Sequence, residues 1–166
     1  MNKIKGKSWK FGDDISTDLI APGRLFHLRS NLPELTKHVL EDAKPGFYEN
    51  ISKGDIVVAG INFGQGSSRE HAPTIIRMAG IGAVVAKSFA RIFYRNCINV
   101  GLPAIIVNTD NISEGDTLEI DTVKGELINI DKNEKLLFPP LPETMMKILS
   151  EGGLVSYIKN HGDLIL

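Results

Sequence analysis

Ile56-Val57-Val58-Ala59-Gly60-Ile61-Asn62-Phe63-Gly64-Gln65-Gly66-Ser67-Ser68-Arg69-Glu70-His71-Ala72-Pro73 is the stretch on which the fold of this chain turns. Its first four residues are an apolar run of the length of a buried strand. A helical pattern follows from Thr74 to Gly82, with Ile75, Ile76 and Met78 turned inward. Glycines 60, 64 and 66 let the intervening backbone turn sharply and come close to a small ligand. Ser67 and Ser68 fall where the spacing predicts a helix start, so their amides suit an anion, with the positive helix end behind them. Arg69 can grip a carboxylate through two parallel hydrogen bonds. A polar cluster this dense is more than a turn requires.

Outward from that stretch the pattern repeats. Ala83-Val84-Val85-Ala86 is a second short apolar strand, and Ser88 is placed to open a helix carrying Phe89, Ile92, Phe93 and Cys97 on one face. Gly101-Leu102-Pro103 stops that helix, and Ala104-Ile105-Ile106-Val107 is a third buried strand. Short apolar strands alternating with helices imply parallel pairing through right-handed crossovers. Before this unit, Lys3 to Phe11 reads as a strand. A helix is expected after Ser30 or Asn31, with Pro33 in its first turn and Leu35, Val39 and Leu40 inward, ending near Lys44-Pro45-Gly46. After the unit the period changes to two. Thr117–Asp121, Leu127–Ile130 and Lys135–Phe138, separated by turns, read as an antiparallel meander. Two short helices, near Glu143–Ser150 and Leu154–Lys159, close the chain. The expected architecture is α/β: a mixed sheet with packed helices, residues 1–166 forming a single compact domain.

Bulk properties narrow the function. At 166 residues the chain can bury a substantial core. A formal net charge of -1 gives no reason to expect nucleic acid or an anionic membrane as partner. No apolar run approaches the roughly 18 residues that span a bilayer. The basic start, Met1 to Lys5, has no apolar segment after it and does not read as a secretory signal. One cysteine, Cys97, excludes an internal disulfide and fits a reducing, cytoplasmic compartment. A single thiolate also cannot hold an iron–sulfur cluster, which takes several.

A second polar patch precedes the central one. Asp13-Asp14-Ile15-Ser16-Thr17-Asp18 is followed by Pro22-Gly23-Arg24. Taken alone it is a turn, because Asp, Ser and Thr bond their own backbone and Pro-Gly punctuates.

Taken together with the central motif and with Lys87-Ser88-Phe89-Ala90-Arg91-Ile92-Phe93, it resembles the swivelling domain of the aconitase superfamily. The length, and the tail from Glu151-Gly152-Gly153-Leu154 to Gly162-Asp163, are similar to the free-standing small subunits of the 3-isopropylmalate dehydratase family. The resemblance covers essentially the whole chain. It implies one half of a two-chain hydro-lyase that moves water between neighbouring carbons of a 2-hydroxy dicarboxylate. By that resemblance Ser67 is the base that removes a proton from carbon, and Ser68 donates to the substrate. Arg69 binds a substrate carboxylate, and the chemistry makes Arg24 a candidate second cation. Thr17 and Asp18 line the same cleft, with Asp18 close to the serine base. This chain holds no metal and no cofactor of its own. A [4Fe-4S] cluster is expected on a separate large subunit, in a heterodimer or heterotetramer active only when assembled.

The loop that sets the substrate in this family corresponds here to Arg24-Leu25-Phe26-His27-Leu28-Arg29-Ser30-Asn31, which departs from the usual pattern by one extra residue. Phe26, His27, Leu28 and Arg29 are the candidate specificity residues. Leu28 turned inward suits an alkyl-substituted malate such as 3-isopropylmalate. Arg29 turned inward suits a third carboxylate, as in homoaconitate, and methyl-substituted malates remain open. Glu70 and His71 read as support behind the site, and Arg91 and Arg95 as structure or subunit contact. The competing class is a non-catalytic module that holds phosphate or a nucleotide. Against it, the loop lacks the Gly-Lys-Ser/Thr ending of a phosphate loop and the spacing of a dinucleotide fingerprint.

Overall fold

The apolar quartets of the sequence become adjacent parallel strands. The computed structural model describes residues 3–67 and 69–162. Among them, β1 (Lys3–Lys10), β2 (Ile56–Ala59), β3 (Ala83–Ala86), β4 (Ala104–Ile106), β5 (Thr117–Asp121), β6 (Glu126–Asn129) and β7 (Glu134–Leu137) form one sheet, ordered β4-β3-β2-β1-β5-β6-β7. β2 pairs in parallel with β1 and β3, and β3 with β4. The pairs β1–β5, β5–β6 and β6–β7 are antiparallel. β1 joins the two halves: its Ser8–Lys10 end lies beside β2 and its Lys3–Lys7 end beside β5. This is the mixed sheet expected from the change of period along the chain.

Side chains alternate across a strand, so each quartet feeds two cores. Val57, Ala59, Val84, Ala86 and Ala104 point to one face. There they meet Leu35, Ile75, Ile76 and Phe93, from α2 (Leu32–Thr36), α4 (His71–Met78) and α5 (Arg91–Asn99). Ile56, Val58, Ala83, Val85 and Ile105 point to the other face. That side is covered by α6 (Glu143–Ser150) and α7 (Leu154–His161), through Ile148, Leu149 and Tyr157. β2 and β3 are buried along their whole length, on both faces, which is why they carry no alternation of polar residues.

Three boundaries differ from the sequence expectation. The helix after Asn31 stops at Thr36, and Leu40 has a left-handed φ of 55°, which no continuing helix accommodates. Leu35, Val39 and Leu40 are buried all the same, Leu35 from the short helix and Val39 and Leu40 from the turns after it. Second, Ser88 does not open α5. Phe63 donates its N–H to the Ser88 carbonyl and Ala90 donates its own to Phe63. This isolated parallel bridge uses the backbone that a helix start would need, so α5 begins at Arg91. Third, α4 begins earlier than Thr74, at His71. Pro73 is tolerated in its first turn, where an N–H has no intrahelical acceptor.

Candidate active site

The chain leaves the carboxyl end of β2 at Ala59 and crosses to α4 through residues 60–70. This crossing is tied to the patch that follows β1. Asp13 Oδ1 accepts from the Ile61 N–H at 2.9 Å, and Asp14 Oδ1 accepts from Asn62 Nδ2 at 3.2 Å. Gly64 donates its N–H to the Ile15 carbonyl at 2.7 Å, and Thr17 donates to the Gln65 carbonyl at 2.8 Å. Ser16 and Gln65 thereby form a short parallel bridge. Ser16 also caps α1 (Thr17–Ile20), its hydroxyl accepting from the Leu19 N–H, so the turn chemistry read from the sequence is present there. Two motifs about fifty residues apart thus share one wall.

Two glycines make the crossing possible. Gly64 has φ +84°, and a Cβ there would lie 2.1 Å from the Phe93 ring. Gly66 has φ +111°, and its Cβ would lie 3.0 Å from Thr17 Oγ1. Side chains at these positions meet both strain and contact.

The residues at the end of the loop follow from that wall. Ser67 is exposed, and its Oγ lies 3.4 Å from Thr17 Oγ1. Thr17 itself is 2% exposed. Ser67 is not a helix cap: the cap position of α4 is Glu70, whose side chain makes no capping hydrogen bond. The expectation that Ser67 sits on the amide end of a helix is therefore corrected, because the chain makes one more turn, with Arg69 N–H donating to the Ser67 carbonyl at 2.8 Å. Ser68, the second hydroxyl of the motif, lies outside the described residues.

Arg69 and Asp18 meet across the site, Nη1 to Oδ1, at 2.7 Å. That nitrogen is buried and directs no hydrogen bond to a described residue, so the contact is ionic rather than a shaped fork. The Arg69 guanidinium also lies over the Phe26 ring, 5.0 Å from its centre, and Arg29 lies over the same ring at 4.3 Å. The imidazole of His71 approaches the Phe26 ring edgewise at 6.3 Å. Burial first, then the charges of Arg69 and Arg29, hold the His71 pKa below the ordinary 6.5. The imidazole is therefore neutral at pH 7, and the charges collected here are two guanidiniums against one carboxylate.

The substrate-setting loop expected at Arg24–Asn31 is a kinked 3-10 helix over Gly23–Ser30 with no fully buried residue. Leu28 packs against the core rather than the site. Arg29 curls back, donating to the Phe26 carbonyl at 3.2 Å. Phe26 is the member of the segment that meets Arg69, and His27 is exposed. Arg24 is held by Glu41 at 2.6 Å and Asp42 at 2.9 Å, and His38 faces the same Glu41 at 3.0 Å. Nothing in the sequence signals that arrangement, because Glu41 and Asp42 reach Arg24 only through the turns that replace the expected long helix. A separate cleft of about 480 Å³, bordered by Trp9, Asn50, Ser52 and Asp55, opens at the other end of β2 and shares no residue with this site.

Comparison with known proteins places the fold in a family. Residues 24–121 match the model of the aconitase C-terminal domain. The 3-isopropylmalate dehydratase small subunit 2 of Archaeoglobus fulgidus is 62% identical over 162 residues, covering 98% of each chain. The small subunit 1 of Thermotoga maritima is 59% identical over 160 residues, covering 96% of each. A crystal structure of 3-isopropylmalate dehydratase from Methanocaldococcus jannaschii superposes with a TM-score of 0.91 at 47% identity, covering 96% of this chain and 95% of that one. The chain belongs to the 3-isopropylmalate dehydratase small-subunit family.

Membership of this aconitase-type family brings an iron–sulfur cluster into question, and the described residues of this chain do not fit one. Among the described residues no three of His, Cys, Asp and Glu are grouped as metal ligands. The one thiol, Cys97, is buried in the core, and burial pushes its pKa well up, so it is not a thiolate at neutral pH. Among the described residues no helix is long and apolar enough to cross a membrane.

Proposed function

We propose that this chain is the small subunit of a heteromeric hydro-lyase that interconverts 2-isopropylmalate and 3-isopropylmalate by removing and restoring water. The observation that carries the reading is the meeting of Thr17 and Asp18 with Ser67 and Arg69, in a fold matched along its length by small subunits bearing that name.

In this reading Ser67 Oγ takes the proton from carbon. A hydroxyl is a poor base, and its anion needs donors and nearby positive charge in a site closed to water. Thr17 Oγ1 lies 3.4 Å from it, and Arg69, two residues on, supplies the positive charge. Arg69 takes a substrate carboxylate, exchanging part of its contact with Asp18 for the incoming anion. Ser68 is assigned as a donor to the substrate, and Thr17 lines the wall behind Ser67. Arg24 joins it only if its contacts with Glu41 and Asp42 open. Departure of hydroxide needs a Lewis acid. Among the described residues none is grouped to hold one, so the large subunit is assigned the [4Fe-4S] cluster and the isolated small subunit is assigned no turnover. Soluble assembly in the cytoplasm, as a heterodimer or heterotetramer, belongs to the same proposal.

Phe26 favours the alkyl-substituted substrate, because it sets an apolar ring beside Arg69. One observation supports a second reading. Arg29 lies on that same ring with its charge close enough to act on His71. A modest swing would let it serve a third carboxylate, as in a homoaconitase.

The test combines the purified chain with its large subunit and follows the unsaturated diacid formed from 3-isopropylmalate. Turnover by the pair, and by neither part alone, is the expected result; turnover by the small subunit alone contradicts the proposal. Repeating the assay with homoaconitate and with Arg29→Ala separates the two substrates. Loss confined to the tricarboxylate favours the second reading.

A further inference from the structure

Thr17 is one of the few polar side chains carried into the interior, at 2% exposure, and it offers almost no surface to a ligand. Its hydroxyl has a described side-chain neighbour, Ser67 Oγ at 3.4 Å. The rest of the local structure fixes that approach. Thr17 is held by its own N–H on Gln65, two residues before Ser67. Gly66, with no side chain, leaves the space above Thr17 Oγ1 that a Cβ would enter at 3.0 Å. A buried hydroxyl is ordinarily hydrogen-bonded, and contacts of catalytic groups are often long before substrate binds and tighten afterwards.

From this we infer that Thr17 is the positioning residue of the serine base: its hydroxyl donates to Ser67 Oγ and favours the anionic form of that oxygen, instead of contacting substrate. The inference rests on the reading of Ser67 as the base. Its direction follows from donor and acceptor inventory. An ionised Ser67 can only accept, so the hydrogen of the pair must come from Thr17. No proton leaves Thr17. The proton taken from the substrate carbon goes to Ser67 Oγ, and the Thr17 O–H bond remains intact throughout.

The test uses the assembled large and small subunits with 3-isopropylmalate and the variants Thr17→Val, Thr17→Ser and Ser67→Ala. A hydrogen bond to a charged group, once lost, lowers kcat by roughly ten- to a hundredfold. Thr17→Val is expected to show that loss with KM little changed, and to move the acid limb of the kcat/KM profile to higher pH. Thr17→Ser, which keeps the hydroxyl, is expected to restore both. If Val is not accommodated, judged by melting temperature and assembly, Thr17→Ala carries the same expectation. An acid limb unmoved in the hydroxyl-free variant, while Ser67→Ala is inactive, overturns the role of Thr17 alone. Normal turnover by Ser67→Ala overturns the serine base, and this inference with it.

Discussion

Asp18 Oδ1 and Arg69 Nη1 lie 2.7 Å apart, and they join a four-residue helix after β1 to the loop after β2. The Asp18 side chain is 65% exposed and that of Arg69 24%. An ion pair so open to water contributes at most about 1 kcal/mol to stability. Its value is in orientation: the guanidinium is held between Asp18 and the Phe26 ring before substrate arrives.

Asp18→Asn is therefore expected to shift folding stability by less than about 1 kcal/mol. In the assembled enzyme kcat/KM is expected to fall roughly tenfold or more, as a misplaced binding group slows catalysis out of proportion to its stability effect. Denaturant melts set beside steady-state kinetics on 3-isopropylmalate check this. A large stability loss with unchanged kinetics would make the pair a structural tie.

His71 supplies a pH dependence. Its folded pKa lies below 6.5, mainly through burial and then through Arg69 and Arg29. The unfolded chain, titrating near 6.5, binds the proton first as pH falls. Between that value and the lower folded pKa the unfolded state holds more protons, so stability decreases as pH drops and recovers as it rises. His71→Gln is expected to flatten that part of the curve. Melting temperatures between about pH 7 and pH 5 read the difference, and an unchanged slope would assign the dependence to other groups.

Asp55 gives the converse case, a residue of the fold and not of the site. It sits before β2, whereas the candidate site follows β2, and it is 7% exposed. Its carboxylate accepts from Trp9 Nε1 and from the Ser52 N–H, each at 2.9 Å. Asp55→Ala leaves these donors without their acceptor, and a cost of about 2–3 kcal/mol is expected. Turnover per assembled enzyme is expected to stay near that of the parent. Calorimetry paired with kinetics on the same preparation checks both halves.

The fold was largely readable because its main signals are local. The quartets at 56 and 83 are apolar because both faces of each strand are covered, and the meander alternates because its strands are not. Phe63 and Phe89 form the counterexample. Their bridge is made between residues 26 apart, and it delays α5 past a serine that resembles a cap. The site divides in the same way. The glycines, hydroxyls and Arg69 announce themselves in one motif. The Arg24 contacts with Glu41 and Asp42, and the placement of Phe26 on Arg69, arise from a kinked 3-10 segment whose path depends on packing.

The most direct measurement is the rate of water loss from 3-isopropylmalate by the assembled subunits carrying Ser67→Ala. With Ser67 as the base, a folded and assembled variant is expected to bind substrate and to lose at least about a hundredfold in kcat, the scale on which a positioned acid–base group acts. Turnover near that of the parent would contradict the account.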